Sequence, residues 1–355
     1  MAFAHAQTLD YPIHQVLNPQ GELLGSLNST LQQTEFWLKA YTHLWRTRLF
    51  DGRAIALQRT GQLGTYASCL GQEAISAAIG FSLQQNDVLI PYYRDQAAQL
   101  LRGTQMRSIL QFWGGDEWGS FDAPDYDFPA CIPIATQLTH AAGVATALKL
   151  KHHAQAALST CGDGASSRGD FYEALNLAGV WHLPLVVVIN NNQWAISVPL
   201  SQQTACETLA QKAIAAGILG VRVDGNDFFA MMMVLAEALE RARSGKGATL
   251  IEAVTYRLCD HTTADDMSRY ANAQEKEQAQ SLEPLIRFKK LLELKIGWTN
   301  EKQQALEHQL RQEIEHEVQA YLDLPPVNPD DMFNYLYYTI PKDLASQRTE
   351  YQSRR

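Results

Sequence analysis

The chain has 355 residues, 46% of them hydrophobic, which is enough for one large α/β core or two smaller ones. Acidic residues outnumber basic ones 38 to 29 and the formal net charge is −9. That balance argues against nucleic acid as a partner, because phosphate backbones are held by Lys and Arg. No apolar run approaches the ~20 residues that span a bilayer, so no membrane partner is expected. The opening MAFAHAQTLD has neither the basic segment nor the apolar core of a secretion signal. Five scattered cysteines, none in a C-x-x-C pair, read as buried free thiols in a reducing cytosol. A cytoplasmic protein is therefore expected.

Residues 1–27 form a polar arm with Pro12 and Pro19, suited to wrapping a surface or a partner. From 28 to 58, Leu31, Leu38, Tyr41, Leu44, Trp45 and Leu49 recur at helical spacing. Gln72 and Glu73 stand where a further helix begins and read as capping and packing groups, since an acid in the first turn favours a helix. Residues 87–91 predict a strand that ends at Tyr92-Tyr93-Arg94-Asp95. An Arg at a strand's carboxyl end can bond phosphate in bidentate fashion, although a lone Arg is more often a surface charge. Residues 114–133, rich in Gly, Asp and Pro, read as a loop. A small-residue helix is expected over 140–151.

The next stretch, 156–199, reads as strand, tight turn, helix, strand, polar loop. Residues 157–161 suit a buried strand. Gly162-Asp163-Gly164 ends it, and Ser166 or Ser167 can cap a helix whose apolar face carries Phe171, Leu175, Ala178 and Trp181. Leu185-Val186-Val187-Val188-Ile189 is an all-apolar, β-branched run that fits a parallel strand covered on both faces. A right-handed crossover of about 30 residues makes the two strands parallel, so both finish on one edge, where α/β sheets bind ligands. That edge brings Asp163 towards Asn190, Asn191 and Asn192. A carboxylate, an amide oxygen and a helix start whose Gly164 and Ala165 N–H groups are free suit a diphosphate carrying magnesium. Gly-Asp-Gly alone would be only a turn; the Asn run makes the case.

Further along, a helix is expected over 206–216, a strand over 220–223, a helix over 228–244 and a strand over 249–256. The alternation predicts a doubly wound parallel sheet with helices on both faces. Met231-Met232-Met233 reads as core filling. A polar loop, 256–266, follows the last strand. From 274 to 322 the chain reads as helical and amphipathic, Pro325 and Pro326 break it, and a last short helix is expected over 330–337. The tail YLYYTIPKDLASQ is apolar for a chain end.

Gly162-Asp163-Gly164 followed by Asn191-Asn192 resembles the thiamine-diphosphate motif. GDFYEALNLAG, NNNQWAISVP and LAQKAIAAGILGVRVDGND closely resemble the alpha subunit of pyruvate dehydrogenase, the first component of 2-oxoacid dehydrogenase complexes. The resemblance runs from about Tyr11 to the end. It implies a thiamine-diphosphate-binding fold with an N-terminal arm (1–27), a cofactor-binding α/β domain (28–272) and a helical C-terminal extension (273–355). It implies that Asp163, Asn192 and the Trp194 carbonyl ligate Mg2+, and that Tyr93, Arg94 and Arg257 hold the diphosphate together with Gly164 and Ala165. Ile132 and Ile134 would lie near the aminopyrimidine and press the cofactor's two rings together; they also read as ordinary core residues, and the two roles do not exclude each other.

His261 would face the thiazolium, with Asp260 favouring its charged form. Asp170 and Glu173 are a helix N-terminal charge pair or, as the resemblance suggests, line a proton passage between two active sites. Cys259 stands where the pattern has a small Gly, and Ala271 where it often has Arg. The implied activity is decarboxylation of a 2-oxoacid and transfer of the acyl group to lipoyl groups of a dihydrolipoyl acyltransferase. The carboxylate that assists the aminopyrimidine belongs, in the family, to a beta subunit, so half an active site and an α2β2 heterotetramer are expected. Pyruvate is the expected substrate; a branched-chain 2-oxoacid or acetoin enzyme shares the motifs. From a different class, a non-catalytic magnesium–nucleotide module would use the same phosphate ligands.

Overall fold

The computed structural model describes residues 11–354; the expectations for the first ten residues lie outside that range. In chain order the elements are β1 (Ile13–His14), α1 (Thr34–Arg59), α2 (Glu73–Ser82), β2 (Val88–Ile90), α3 (Gln96–Arg102), α4 (Met106–Trp113), α5 (Thr136–Leu150), β3 (Ala157–Gly162), α6 (Gly169–Val180) and β4 (Leu185–Asn191). Then come β5 (Trp194–Ala195), β6 (Val198–Pro199), α7 (Leu200–Gln203), α8 (Lys212–Ala215), β7 (Leu219–Asp224), α9 (Phe228–Arg243) and β8 (Thr249–Val254). The C-terminal part holds α10 (Ala273–Ser281), α11 (Pro284–Ile296), α12 (Asn300–Leu322), α13 (Asp331–Asn334) and α14 (Lys342–Ser353).

Among the described residues, β1-β7-β8-β4-β3-β2 form one sheet, and every pair in it is parallel. The apolar run in β4 explains its central place. Val186 and Val188 pack into a core with α1, α2, α9 and α11, while Leu185, Val187 and Ile189 pack on the opposite face with α5 and α6. The period of two sends successive side chains to opposite faces. Each such side chain, fully buried, contributes roughly 1.5–3 kcal/mol. The expected doubly wound sheet is present, and β3 pairs β4 in register from Ala157↔Leu185 to Gly162↔Asn190.

The polar arm closes the sheet instead of reaching away from it. β1 pairs β7, and Asp227 Oδ2 accepts the N–H groups of Val16 and Leu17, both at 2.6 Å. Its other oxygen accepts from Phe229 and Ala230 and so caps α9. One carboxylate thus fixes both a helix start and the arm.

Several local expectations differ. α6 begins at Gly169, not at Gly164, because Asp163–Ser167 first makes a 3-10 turn in which Ser166 Oγ donates to the Asp163 carbonyl at 2.7 Å. No serine caps α6. Trp181 follows the last turn and is exposed, leaving Phe171, Leu175 and Ala178 as the buried face. The helix expected over 206–216 is reduced to α8, since short polar side chains upstream turn back on their own backbone: Thr204 Oγ1 accepts from Cys206 N–H. The long C-terminal helix is split twice, by Pro284 at the first turn of α11 and by Gly297 at φ +60 after it. α14 is mostly polar and buries none of its residues, so it left no apolar signature to read. Met231 lies in the core, but Met233 is exposed. Cys69 and Cys161 are buried as expected; Cys131 and Cys259 are half-buried and Cys206 is exposed.

Candidate active site

The carboxyl ends of β2, β3 and β4 share one edge because all three strands are parallel neighbours. A cavity of about 220 Å³ opens there. Its lining includes Tyr93 and Arg94 from the end of β2, Gly162 to Ala165 from the end of β3, and Asn192, Trp194 and Ile196 from the turn after β4. Ile134 and His261 complete it. An outer compartment of about 350 Å³, lined by Thr65, Phe112, Trp113, Ile132 and Thr262, shares Tyr93, Ile134 and His261 with it. His261 and Ile134 therefore stand at the junction of the two spaces. Ile132 and Ile134 are 45% and 44% exposed, which removes the reading of ordinary core residues.

Asp163 is buried, and burial pushes its carboxyl up to about 6, against the pull of a hydrogen bond from Gln203. Gln203 Nε2 donates to Asp163 Oδ2 at 2.7 Å. Asn192 Nδ2 donates to Gln72 Oε1 at 3.2 Å, which fixes the amide, and its Oδ1 accepts from Trp194 N–H. Gly164 lies against the β5 turn: a Cβ there would meet the Ala195 Cβ at 2.6 Å. The turn itself is strained. Gln193 and Ile196 have φ of +71° and +55°, and Ala135, before α5, has +72°. Two of the five non-glycine residues with positive φ among the described residues, Ala135 and Ile196, thus border one cavity, and Gln193 belongs to the same turn as Ile196. Left-handed backbone is unusual for a β-branched Ile, and such strain, of order 1–3 kcal/mol each, gathers at functional sites.

Arg94 is buried and holds the far wall. Its guanidinium donates to the carbonyls of Ser68 and His261 and lies 3.1 Å from His261 Nδ1. Burial, then Arg94 and Arg257, lower the His261 pKa to about 4. This corrects the expectation of an imidazolium supported by Asp260. The Asp260 carboxylate accepts Met267 N–H, while the acid on this loop that meets His261 is Asp265, through the backbone N–H at 2.8 Å. His261 is thus a neutral imidazole at pH 7, facing two cations.

The structure does not bring Arg257 to the cavity. It is fully buried behind the β5 turn, donating to the carbonyls of Trp194, Ile196 and Cys259 and to the Tyr270 hydroxyl. Four oxygens satisfy the guanidinium there, so it fastens two loops together. Cys259 takes part through its carbonyl alone, which any residue supplies. Asp170 and Glu173 lie outside the cavity on the outer side of α6, with Arg168 3.3 Å from Asp170.

The donor set suits a hard cation: one carboxylate, one amide oxygen and one backbone carbonyl. Among the described residues no cluster of three His, Cys, Asp or Glu forms a softer metal site. Gly164 lets the Asp163–Ser167 turn pack closely against Ala195 at the cavity wall. The residues present fit a magnesium diphosphate.

The family model described as "Dehydrogenase E1 component" matches residues 41–329. The chain belongs to this family. An E1 component of this kind depends on thiamine diphosphate. Relatives include "3-methyl-2-oxobutanoate dehydrogenase subunit alpha" of Mycobacterium tuberculosis, 40% identical over 324 residues, covering 90% of this chain and 87% of that protein. "Pyruvate dehydrogenase E1 component subunit alpha" of Bacillus subtilis is 36% identical over 337 residues, covering 94% and 90%. The protein of the same name from Staphylococcus aureus is 39% identical over 310 residues, covering 87% and 84%.

Reading the sequence of this E1 chain alone missed Gln203 and Asp51, and took Gln72 for a capping or packing group when it holds Asn192. Asp51 accepts from the Tyr66 and Ser68 hydroxyls and from Cys69 N–H, and so sets the segment whose Ser68 carbonyl holds Arg94. No local pattern marks these contacts; the partners are 15 to 120 residues away, and only the fold supplies them.

Proposed function

We propose that this chain is the alpha subunit of a pyruvate dehydrogenase (acetyl-transferring), acting with thiamine diphosphate and Mg2+. It works with a beta subunit as an α2β2 heterotetramer and passes the acetyl group to lipoyl groups of a dihydrolipoyl acyltransferase in the cytoplasm. The arm (1–27), cofactor domain (28–272) and extension (273–355) are part of this reading. What supports it is the convergence of Tyr93, Arg94, Asp163, Asn192, Ile134 and His261 on one cavity at the carboxyl edge of the sheet. The names of the relatives support the 2-oxoacid chemistry.

When bound, the thiamine cofactor supplies the nucleophilic carbon and the electron sink for loss of carbon dioxide. Asp163, Asn192 Oδ1 and the Trp194 carbonyl would hold the metal, and the N–H groups of Gly164 and Ala165 would serve the diphosphate. Tyr93 walls the cavity, and Arg94 places positive charge beside it. Ile134 and Ile132 form the aliphatic wedge between the inner and outer spaces. His261, neutral and held by Arg94, would offer a hydrogen bond where the inner and outer spaces join, on the path open to a lipoyl group. Arg257 keeps the Trp194–Ile196 turn in its strained shape. Asp170 and Glu173 become part of a polar passage when two copies of the chain meet.

The Mycobacterium tuberculosis relative favours a second reading, a branched-chain 2-oxoacid enzyme. The α/β pair, reconstituted and assayed with pyruvate and with 3-methyl-2-oxobutanoate, distinguishes them. Pyruvate is expected to give the higher kcat/KM; a tenfold preference for the branched acid would overturn the substrate assignment. Competition of thiamine diphosphate against ATP for the same chain tests the nucleotide-module alternative.

A further inference from the structure

We propose that Gln203 is a positioning residue for the metal: its amide locks the Asp163 carboxylate in the ligating orientation. The inference rests on the reading of Asp163 as a magnesium ligand. Gln203 ends α7, forty residues beyond Asp163, and nothing in the diphosphate turn announces it. Its Nε2 donates to Asp163 Oδ2 at 2.7 Å and to the Val198 carbonyl at 3.0 Å. Both partners only accept, so the amide nitrogen must point at them and the amide cannot flip. Its oxygen is left buried with no hydrogen-bond partner, near the space where a Cβ on Gly164 would stand, 3.9 Å away.

A buried oxygen without a partner is destabilising. The arrangement persists because the two donated bonds and the backbone fix the side chain. Ser167 Oγ donates to the Gln203 carbonyl at 3.2 Å, so α7 is also tied to the turn independently of the amide. Asp163 Oδ2 is thereby occupied, and Oδ1 is the atom presented to the metal. A carboxylate held through its second oxygen pays less ordering entropy when the metal arrives. Groups that orient a ligand in this way typically contribute 10–100-fold in metal affinity.

The test uses the reconstituted α/β enzyme with Mn2+ as the probe at saturating thiamine diphosphate, read by electron paramagnetic resonance of free Mn2+. Gln203→Met keeps the side-chain length and removes both donors; Ser167→Ala loosens α7 and leaves the amide. The Mn2+ Kd is expected to rise about tenfold in Gln203→Met and to stay within twofold in Ser167→Ala, with the metal-free melting temperature unchanged in both. Equal weakening in the two variants would make Gln203 a mere tether and overturn the inference. So would wild-type Mn2+ affinity in Gln203→Met while Asp163→Ala fails to bind. Wild-type affinity in Asp163→Ala would remove the metal assignment itself.

Discussion

Asp163 illustrates how a single residue carries a cost that its function explains. The unfolded chain ionises it near 3.8, and the folded chain near 6. Between those values the folded state binds more protons, so this group's contribution to stability is present below pH 3.8 and is lost as pH rises through 6. Above pH 6 the buried charge costs the metal-free protein on the order of 2–3 kcal/mol. Asp163→Asn is expected to raise the melting temperature of the metal-free chain by a few degrees at pH 7.5 and by little at pH 4, while abolishing Mg2+-dependent cofactor binding. Calorimetry at the two pH values, with titration calorimetry for the cofactor, checks both parts; wild-type cofactor affinity in the variant would refute the role. Asp163 and Asn192 were legible because short polar residues interrupt apolar strands at the right places. The orientation of Asn192 by Gln72, and the neutrality of His261, were not legible. Gln72, 120 residues away, sets the first, and burial with the distant Arg94 dominates the second, while the sequence neighbour Asp260 points the wrong way.

At the level of elements, the central crossover was readable because period, length and β-branching agreed. The docking of the C-terminal helices was not, because a charged residue in a sequence does not show its partner. Arg48 on α1 bonds both Glu73, at the start of α2, and Glu283, the N-cap of α11. Glu73 is fully buried, and Glu283 nearly so. The expectation that Glu73 merely favours its own helix start missed this pairing. Removing one member of a buried ion pair leaves uncompensated charge and costs about 3–5 kcal/mol. Arg48→Met is therefore expected to lose about that much in urea unfolding, and adding Glu73→Gln and Glu283→Gln should restore most of it. A loss under 1 kcal/mol in the single variant would show that the network is solvated and does not hold α11. α2 carries Gln72 and Asn192 depends on Gln72, so the same variant should also weaken cofactor binding.

Over the whole molecule, an apolar surface awaits a cover. Asp170, Glu173 and Leu177 fall three or four residues apart and share one stripe of α6, which Trp181, the C-cap residue, extends. Val180 flanks it and is 67% exposed. A run of exposed large apolar side chains on one helix marks an interaction face. The two acids lie at the end of α6 nearest the diphosphate turn, and on the proposed α2β2 reading a second copy seated on this stripe would bring the acid pairs towards each other. The isolated chain is expected to show negligible decarboxylation of pyruvate with Mg2+ and thiamine diphosphate, and its beta subunit to restore activity with a mass of two copies of each chain. Leu177→Lys combined with Trp181→Glu should leave the circular dichroism of the chain intact, reduce the assembly to one copy of each by light scattering, and lower turnover. Full turnover by the chain alone would contradict the half-site reading. A wild-type mass for the double variant would place the contact between copies elsewhere.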